Sequence, residues 1–125
     1  NGNLIGVIGG GGGRYLIDEM ARGAVAAMPA AEITDLHVRM WNAFAHGDAA
    51  KARELYMKTL PLLVIQATYR MRLTKWVLAK RGLLNNSIVR APMPEFDRMD
   101  LVELNAQMES LKDILDVTHL EPTLP

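Results

Sequence analysis

The sequence predicts an α/β chain in which a short strand–helix–strand unit is followed by a mainly helical remainder. Two apolar runs, Leu4 to Ile8 and Ala24 to Met28, suit strands buried on both faces, and a helix-like segment from Arg14 to Arg22 lies between them. From Glu32 onward the apolar residues recur at helical spacing instead. A crossover this short implies neighbouring parallel strands joined in the right-handed sense. Two such strands cannot cover their own edges and faces, so the unit calls for a larger sheet beside it.

Each element has its own local signal. The five glycines Gly9 to Gly13 separate the first strand from the helix at Arg14, and Gly23 stops that helix. Such a junction can present backbone N–H groups to an anionic ligand, or it can be a plain flexible connection. In the next helix Ile33, Leu36, Met40, Trp41 and Phe44 share a stripe, Glu32 and Asp35 supply acids to the first turn, and His46-Gly47 occupies the C-cap. Asp48 is the expected N-cap of a following helix that buries Ala52, Leu55, Tyr56, Leu60 and Leu63, with a kink near residues 57–61 caused by Pro61. A further helix from about Arg70 turns Leu73, Trp76 and Val77 inward and ends at Gly82. An extended connection, Asn85 to Pro94, leads to a last helix from about Asp97 with Leu101, Leu104, Met108, Leu111 and Leu115 on its buried face. The tail, residues 116–125, contains Pro122 and Pro125 and is expected to be irregular.

Composition narrows the function classes. With 125 residues, 50% hydrophobic and 22% charged, the chain has the make-up of one globular domain. Equal numbers of basic and acidic residues, 14 each, give no basic excess for nucleic acid and no charge block for a lipid surface. The absence of cysteine removes disulfides and thiolate metal sites and is compatible with a cytoplasmic location. No apolar stretch reaches the length of a membrane span. The sequence enters a strand-like segment directly from Asn1, which is the expectation for a piece of a longer chain.

Candidate site residues are few. Glu32 either projects into a pocket, where it binds a hydroxyl or relays a proton, or serves as a first-turn acid favoured by the helix dipole. His37 and His46 lie too far apart for one helical face to offer them as a metal pair, so no metal or cofactor is expected and both are read as surface or capping residues. Arg70 and Arg72 could meet an anion, although arginines within helices are commonly solvated or paired. Lys75 reads as a structural pairing or capping residue, and the eight methionines as core packing.

The order of several short motifs resembles the C-terminal part of the dihydrodipicolinate synthase and N-acetylneuraminate lyase family of Schiff-base-forming (β/α)8 barrels. These are the strand and glycines Ile8 to Gly13, Arg22-Gly23-Ala24, Gly47-Asp48 with Lys51-Ala52-Arg53, Leu60-Pro61-Leu62, Lys75 with Gly82-Leu83, and Arg90-Ala91-Pro92. The resemblance implies a C-terminal fragment of a (β/α)8 TIM barrel. Residues 1–46 would be its last two βα units, residues 47–115 a helical C-terminal extension, and residues 116–125 a tail. It further implies a parent enzyme, commonly a homotetramer, in which a lysine amine forms a Schiff base with pyruvate or another 2-keto acid. That lysine comes from an earlier strand, so no catalytic residue is expected in this chain.

By the same resemblance Gly11 matches the glycine ending the seventh strand. Met28 matches an eighth-strand residue whose carbonyl faces the keto acid, and Gly12 and Glu32 join them as substrate-binding candidates. The family's Gly-Asp-Asp appears here as Gly11-Gly12-Gly13, and its Ser-Val-Thr-Ala-Asn as Pro29-Ala30-Ala31-Glu32-Ile33. These departures point away from lysine biosynthesis and sialic acid cleavage and toward a 2-keto-3-deoxy sugar acid. The alternative is a non-catalytic helical module that recruits a protein partner through exposed apolar faces.

Overall fold

A computed structural model describes residues 2–116. Along the chain lie β1 (Ile8–Gly9), α1 (Leu16–Ala21), β2 (Ala26–Ala27), α2 (Thr34–Ala45), α3 (Ala49–Tyr69), α4 (Met71–Lys80) and α5 (Arg98–Leu111), with 3-10 turns at Gly11–Gly13, Ala31–Ile33 and Lys112–Ile114. The chain is therefore mostly helical, with one small parallel sheet in which Ile8 pairs Ala26 and Gly9 pairs Ala27.

The strands are shorter than the apolar runs that announce them. Backbone bonds from Val25 N to Val7 O (2.9 Å) and from Met28 N to Gly9 O (2.8 Å) extend the pairing slightly at each end. A strand lengthens by gaining neighbours on its edges, and here each strand has one. The expectation of strands buried on both faces is also corrected: Ile5, Val7, Ile8, Val25 and Met28 are exposed, because no second layer among the described residues packs on them.

Helix ends follow the sequence closely. Gly23, Gly47 and Gly82 all adopt positive φ (88°, 84° and 76°). Each closes its helix with the paired reverse-turn bonds of a Schellman motif; at α4 these run from Gly82 N to Ala79 O and from Leu83 N to Leu78 O, both 2.9 Å. Asp48 caps α3 by accepting from Lys51 N at 3.0 Å. Asp97 and Asp100 form a reciprocal capping box at the start of α5.

α3 runs unbroken through Pro61, so the kink expected near residues 57–61 does not interrupt it. Pro61 and Met57, whose carbonyl loses its donor, both face solvent. The interruption comes instead at Arg70, a non-glycine residue at φ 47° and ψ −120°, which separates α3 from α4.

One hydrophobic core links all these helices. It contains Leu16 and Met20 of α1, Ile33, Leu36 and Met40 at α2, Leu55, Leu62 and Leu63 of α3, Leu73, Trp76 and Val77 of α4, and Leu104, Met108 and Leu111 of α5. Each large aliphatic side chain fully buried this way contributes roughly 1.5–3 kcal/mol of transfer free energy. Phe96 ties α5 to the others, with its ring 4.7 Å from Tyr69 and 6.2 Å from Trp76. Only Met20, Met40 and Met108 of the methionines are in the core, whereas Met28, Met57, Met71 and Met99 are exposed, which corrects the reading of the methionines as mainly packing. His37 is buried as well, contrary to its expected surface role. Of the tail, only Asp116 falls among the described residues; the expectation for residues 117–125 lies outside them.

Candidate functional site

The glycine run shapes the best-defined polar site. Gly11, Gly12 and Gly13 have φ of 65°, 70° and 86°, a region that side-chain-bearing residues rarely adopt. Two of the amides that could have faced an anion are used internally, from Gly13 to Gly10 O and from Arg14 to Gly11 O, both 3.3 Å. The run also permits close approach on two sides. A Cβ on Gly12 would lie 3.0 Å from Gln66 Oε1 and 3.2 Å from Arg14 Nη1, and one on Gly13 would lie 2.6 Å from His37 Nε2.

Between the glycines and the α3–α4 junction is a pocket of about 200 Å³. Gly11, Gly12 and Arg14 form one wall and Gln66, Arg70 and Thr74 the other. Arg14 Nη1 donates to Gln66 Oε1 at 2.7 Å across the floor. The Tyr56 hydroxyl holds the Arg14 carbonyl from α3. The Arg70 side chain is exposed, and its backbone strain sits at the pocket margin.

Glu32 lies directly behind Thr74. Its side chain is fully buried; Oε2 accepts from Thr74 Oγ1 at 3.2 Å, and Oε1 has no partner among the described residues. Burial pushes its carboxyl above the usual range, opposed by a backbone hydrogen bond, the Thr74 hydroxyl and the Arg14 charge. The first-turn acid of α2 is Asp35 instead. Its two oxygens meet Arg81 Nη1 and Nη2 at 3.0 and 2.7 Å, while Arg81 Nη1 also donates to the Glu32 carbonyl at 2.7 Å. Burial raises the Asp35 carboxyl, but the Asp116 amide and the Arg81 hydrogen bonds and charge outweigh it and hold it below the usual range.

The structure brings Gly11 and Gly12 together in the pocket and sets Glu32 one side chain behind its wall. Met28 is elsewhere: its side chain is 77% exposed at the end of β2, its amide bonds to Gly9 O, and it does not line the pocket. Arg14, Gln66 and Thr74 were not singled out from sequence, since they meet only in three dimensions. Arg72 and Lys75 act structurally on the extended connection: Arg72 donates to the Pro94 and Met93 carbonyls at 2.6 and 3.2 Å, and Lys75 to the Ile88 carbonyl at 2.7 Å.

A second, apolar cavity of about 250 Å³ lies between β2, α1 and α2, lined by Leu16, Val25, Ala27, His37, Val38 and Trp41. Neither ring nitrogen of His37 has a hydrogen-bond partner among the described residues. Burial lowers its pKa to about 4, only partly offset by the Asp35 charge. His46 is exposed and sits at the end of α2, with Nδ1 2.7 Å from the Asn42 carbonyl. Among the described residues no cluster of three or more His, Cys, Asp or Glu could hold a metal, and no helix is long and apolar enough to cross a membrane.

No protein-family model matches the chain, and no curated protein matches it. Its fold is similar to the crystal structure of dihydrodipicolinate synthase from Rhodopseudomonas palustris, with a TM-score of 0.75 and 32% sequence identity. The match covers 82% of this chain but 35% of that enzyme, so the chain spans about a third of its length.

Proposed function

We propose that this chain is the C-terminal portion of a lyase of the dihydrodipicolinate synthase family. In this reading residues 1–46 are the last two βα units of the barrel and residues 47–115 its helical extension. The observation that carries it is the 32% identity to dihydrodipicolinate synthase at a TM-score of 0.75 across 82% of the chain. The parallel β1–β2 pair and its exposed apolar residues support the reading, because a barrel would supply the neighbours they lack.

The chemistry is lysine Schiff-base catalysis. A lysine amine attacks the carbonyl of pyruvate or a 2-keto-3-deoxy sugar acid, water leaves, and the protonated imine accepts the electron pair released in aldol cleavage or dehydration. The reactive lysine lies upstream of this segment. The disposition of the lysines here supports that: Lys51, Lys58 and Lys112 pair with surface glutamates, Lys75 holds a backbone carbonyl, and Lys80 Nζ sits 5.9 Å from the centre of the Trp76 ring. None lines the pocket at the glycine run. The segment would contribute a pocket wall through Gly11 and Gly12, the Met28 backbone, and Glu32 behind Thr74. The whole enzyme would be a cytoplasmic homo-oligomer.

Borohydride reduction with pyruvate tests this. In the polypeptide carrying this segment, peptide mapping should find the reduced adduct on a lysine outside residues 1–125. An adduct on any lysine of this segment would overturn the assignment. Absence of any adduct would favour the helical interaction module, whose docking surface would be the exposed Ile5, Val7, Ile8, Val25 and Met28.

A further inference from the structure

The exposed connection between α4 and α5 carries an asparagine in a reactive setting. Asn86 is exposed, lies in a stretch with no helix or strand, and is followed by the small residue Ser87. Its Oδ1 accepts from Ile88 N at 3.1 Å, which makes an Asx turn. The ring closed by that bond contains both the Asn86 Cγ and the Ser87 backbone nitrogen. Electrophile and nucleophile are thus held in one tight turn, while the hydrogen bond draws electrons from the side-chain carbonyl. The Ser87 N–H donates to no described residue, and Asn86 Nδ2 engages none either. The turn is pinned from α4, where Lys75 Nζ donates to the Ile88 carbonyl at 2.7 Å. The helical asparagines are placed differently. Asn105 in α5 gives its amide to Leu101 O at 2.7 Å, and Asn42 lies within α2, where backbone nitrogens are spent on the helix ladder.

We infer that Asn86 is a site of spontaneous deamidation, a covalent modification that turns a neutral side chain into a carboxylate on the turn that α4 holds. The Ser87 nitrogen loses its proton to hydroxide and gives its electron pair to Asn86 Cγ. The Cγ–Nδ2 bond then breaks, and ammonia leaves with a proton taken from water. Water opens the resulting succinimide at either carbonyl, breaking one of the two ring C–N bonds, to give aspartate or isoaspartate. Solvent supplies every co-reactant. The aspartate product keeps an acceptor for Ile88 N and adds a negative charge to the turn. The isoaspartate product inserts a methylene into the backbone between residues 86 and 87, which displaces the Ile88 carbonyl from Lys75 and loosens the connection from α4. Asn85 is also exposed, but it precedes Asn86, whose side chain hinders attack by its own backbone nitrogen. The assignment rests on neither the lyase reading nor a bound ligand.

Incubation of the chain in mildly alkaline buffer, with tryptic mapping of the Gly82 to Arg90 peptide by chromatography and mass spectrometry, tests it. The peptide should gain the mass difference between NH2 and OH and split into two products, at a rate that rises with pH. Mapping separates this signal from Asn1, which precedes Gly2 and lies outside the described residues. In the native chain Asn86 should react at least about ten-fold faster than Asn42 and Asn105, and in urea the gap should narrow. Ser87→Val crowds the attacking nitrogen with a branched side chain and should slow the reaction about ten-fold. Asn86→Gln should abolish the mass gain in this peptide, and Asn85→Gln should leave it unchanged. An Asn86 as inert as the helical asparagines, a gap that persists in urea, a rate indifferent to Ser87→Val, or a gain that survives Asn86→Gln would each overturn the assignment.

Discussion

Acidification should destabilise this fold through the buried side chain of His37. The imidazole is 5% exposed, has no hydrogen-bond partner among the described residues, and lies against Gly13 with the Asp35 charge as the modest opposing influence. Burial lowers its pKa from 6.5 to about 4. Between these values the unfolded chain binds a proton that the folded chain refuses. The contribution is therefore fully present above pH 6.5 and is lost as pH falls toward about 4. With each pH unit worth roughly 1.4 kcal/mol, the loss approaches about 3 kcal/mol, a large share of a typical domain stability of about 5–15 kcal/mol. Glu32 acts in the opposite sense: its raised carboxyl stabilises fully below the ordinary glutamate value and loses that contribution as pH rises through the folded one. Comparing the wild type with His37→Gln removes this background. Urea unfolding between about pH 7.5 and about pH 4.5 should show the two proteins diverging on acidification, the wild type losing more. Parallel stability curves across that range would refute the reasoning.

Other substitutions probe separate parts of the structure. Gly13→Ala places a methyl 2.6 Å from His37 Nε2 at φ 86° and should cost at least about 2 kcal/mol in urea unfolding, with partial recovery in a Gly13→Ala/His37→Ala double variant. Arg81→Met leaves Asp35 and the Glu32 carbonyl without their buried partner and should cost about 3 kcal/mol or more by the same measurement, far above a surface ion pair. Asp97→Ala removes acceptors for the Met99 and Asp100 amides and should cost about 1 kcal/mol, read as a lower melting midpoint with the far-ultraviolet spectrum retained.

Helix boundaries were legible because their causes are local. A glycine that alone tolerates positive φ, or an aspartate that reaches its own helix start, acts within a few residues, and Gly23, Gly47, Gly82, Asp48 and Asp97 all perform as their positions suggest. The core stripes were legible for the same reason, except in α3, where Leu62 is fully buried and the expected Leu60 is only half-buried. His37 was readable too: it follows Ile33 by one turn and precedes Met40 by three residues, on the stripe that is buried. Its polarity outweighed its position in the sequence reading. Strand length was not readable, because it depends on neighbours rather than on the apolar run itself. The pocket was only half readable. Gly11 and Gly12 stood out, but Arg14 and Gln66 are 52 positions apart, and no periodicity announces their meeting. Arg70 stood out beside Arg72 as an arginine that could meet an anion, but its place at the break between α3 and α4 was not readable.

Asp35 accepts from both Arg81 and, at 2.7 Å, the backbone amide of Asp116, 81 positions along the chain. The intervening polypeptide is thus closed into a ring at α2, where Arg39 also pairs with Asp116 and Leu115 packs into the core. The entropy of closing such a ring grows only with the logarithm of its length, about 0.6 kcal/mol for each doubling. Extra residues spliced into the exposed stretch 82–86 should consequently be tolerated at little cost, provided they leave the Arg72 and Lys75 anchors of the following segment in place. Protonation of Asp35 below its depressed pKa would weaken this closure by removing the charge that Arg81 and the Asp116 amide meet, so chain length is the forgiving variable in this part of the molecule and the charge on Asp35 the less forgiving one.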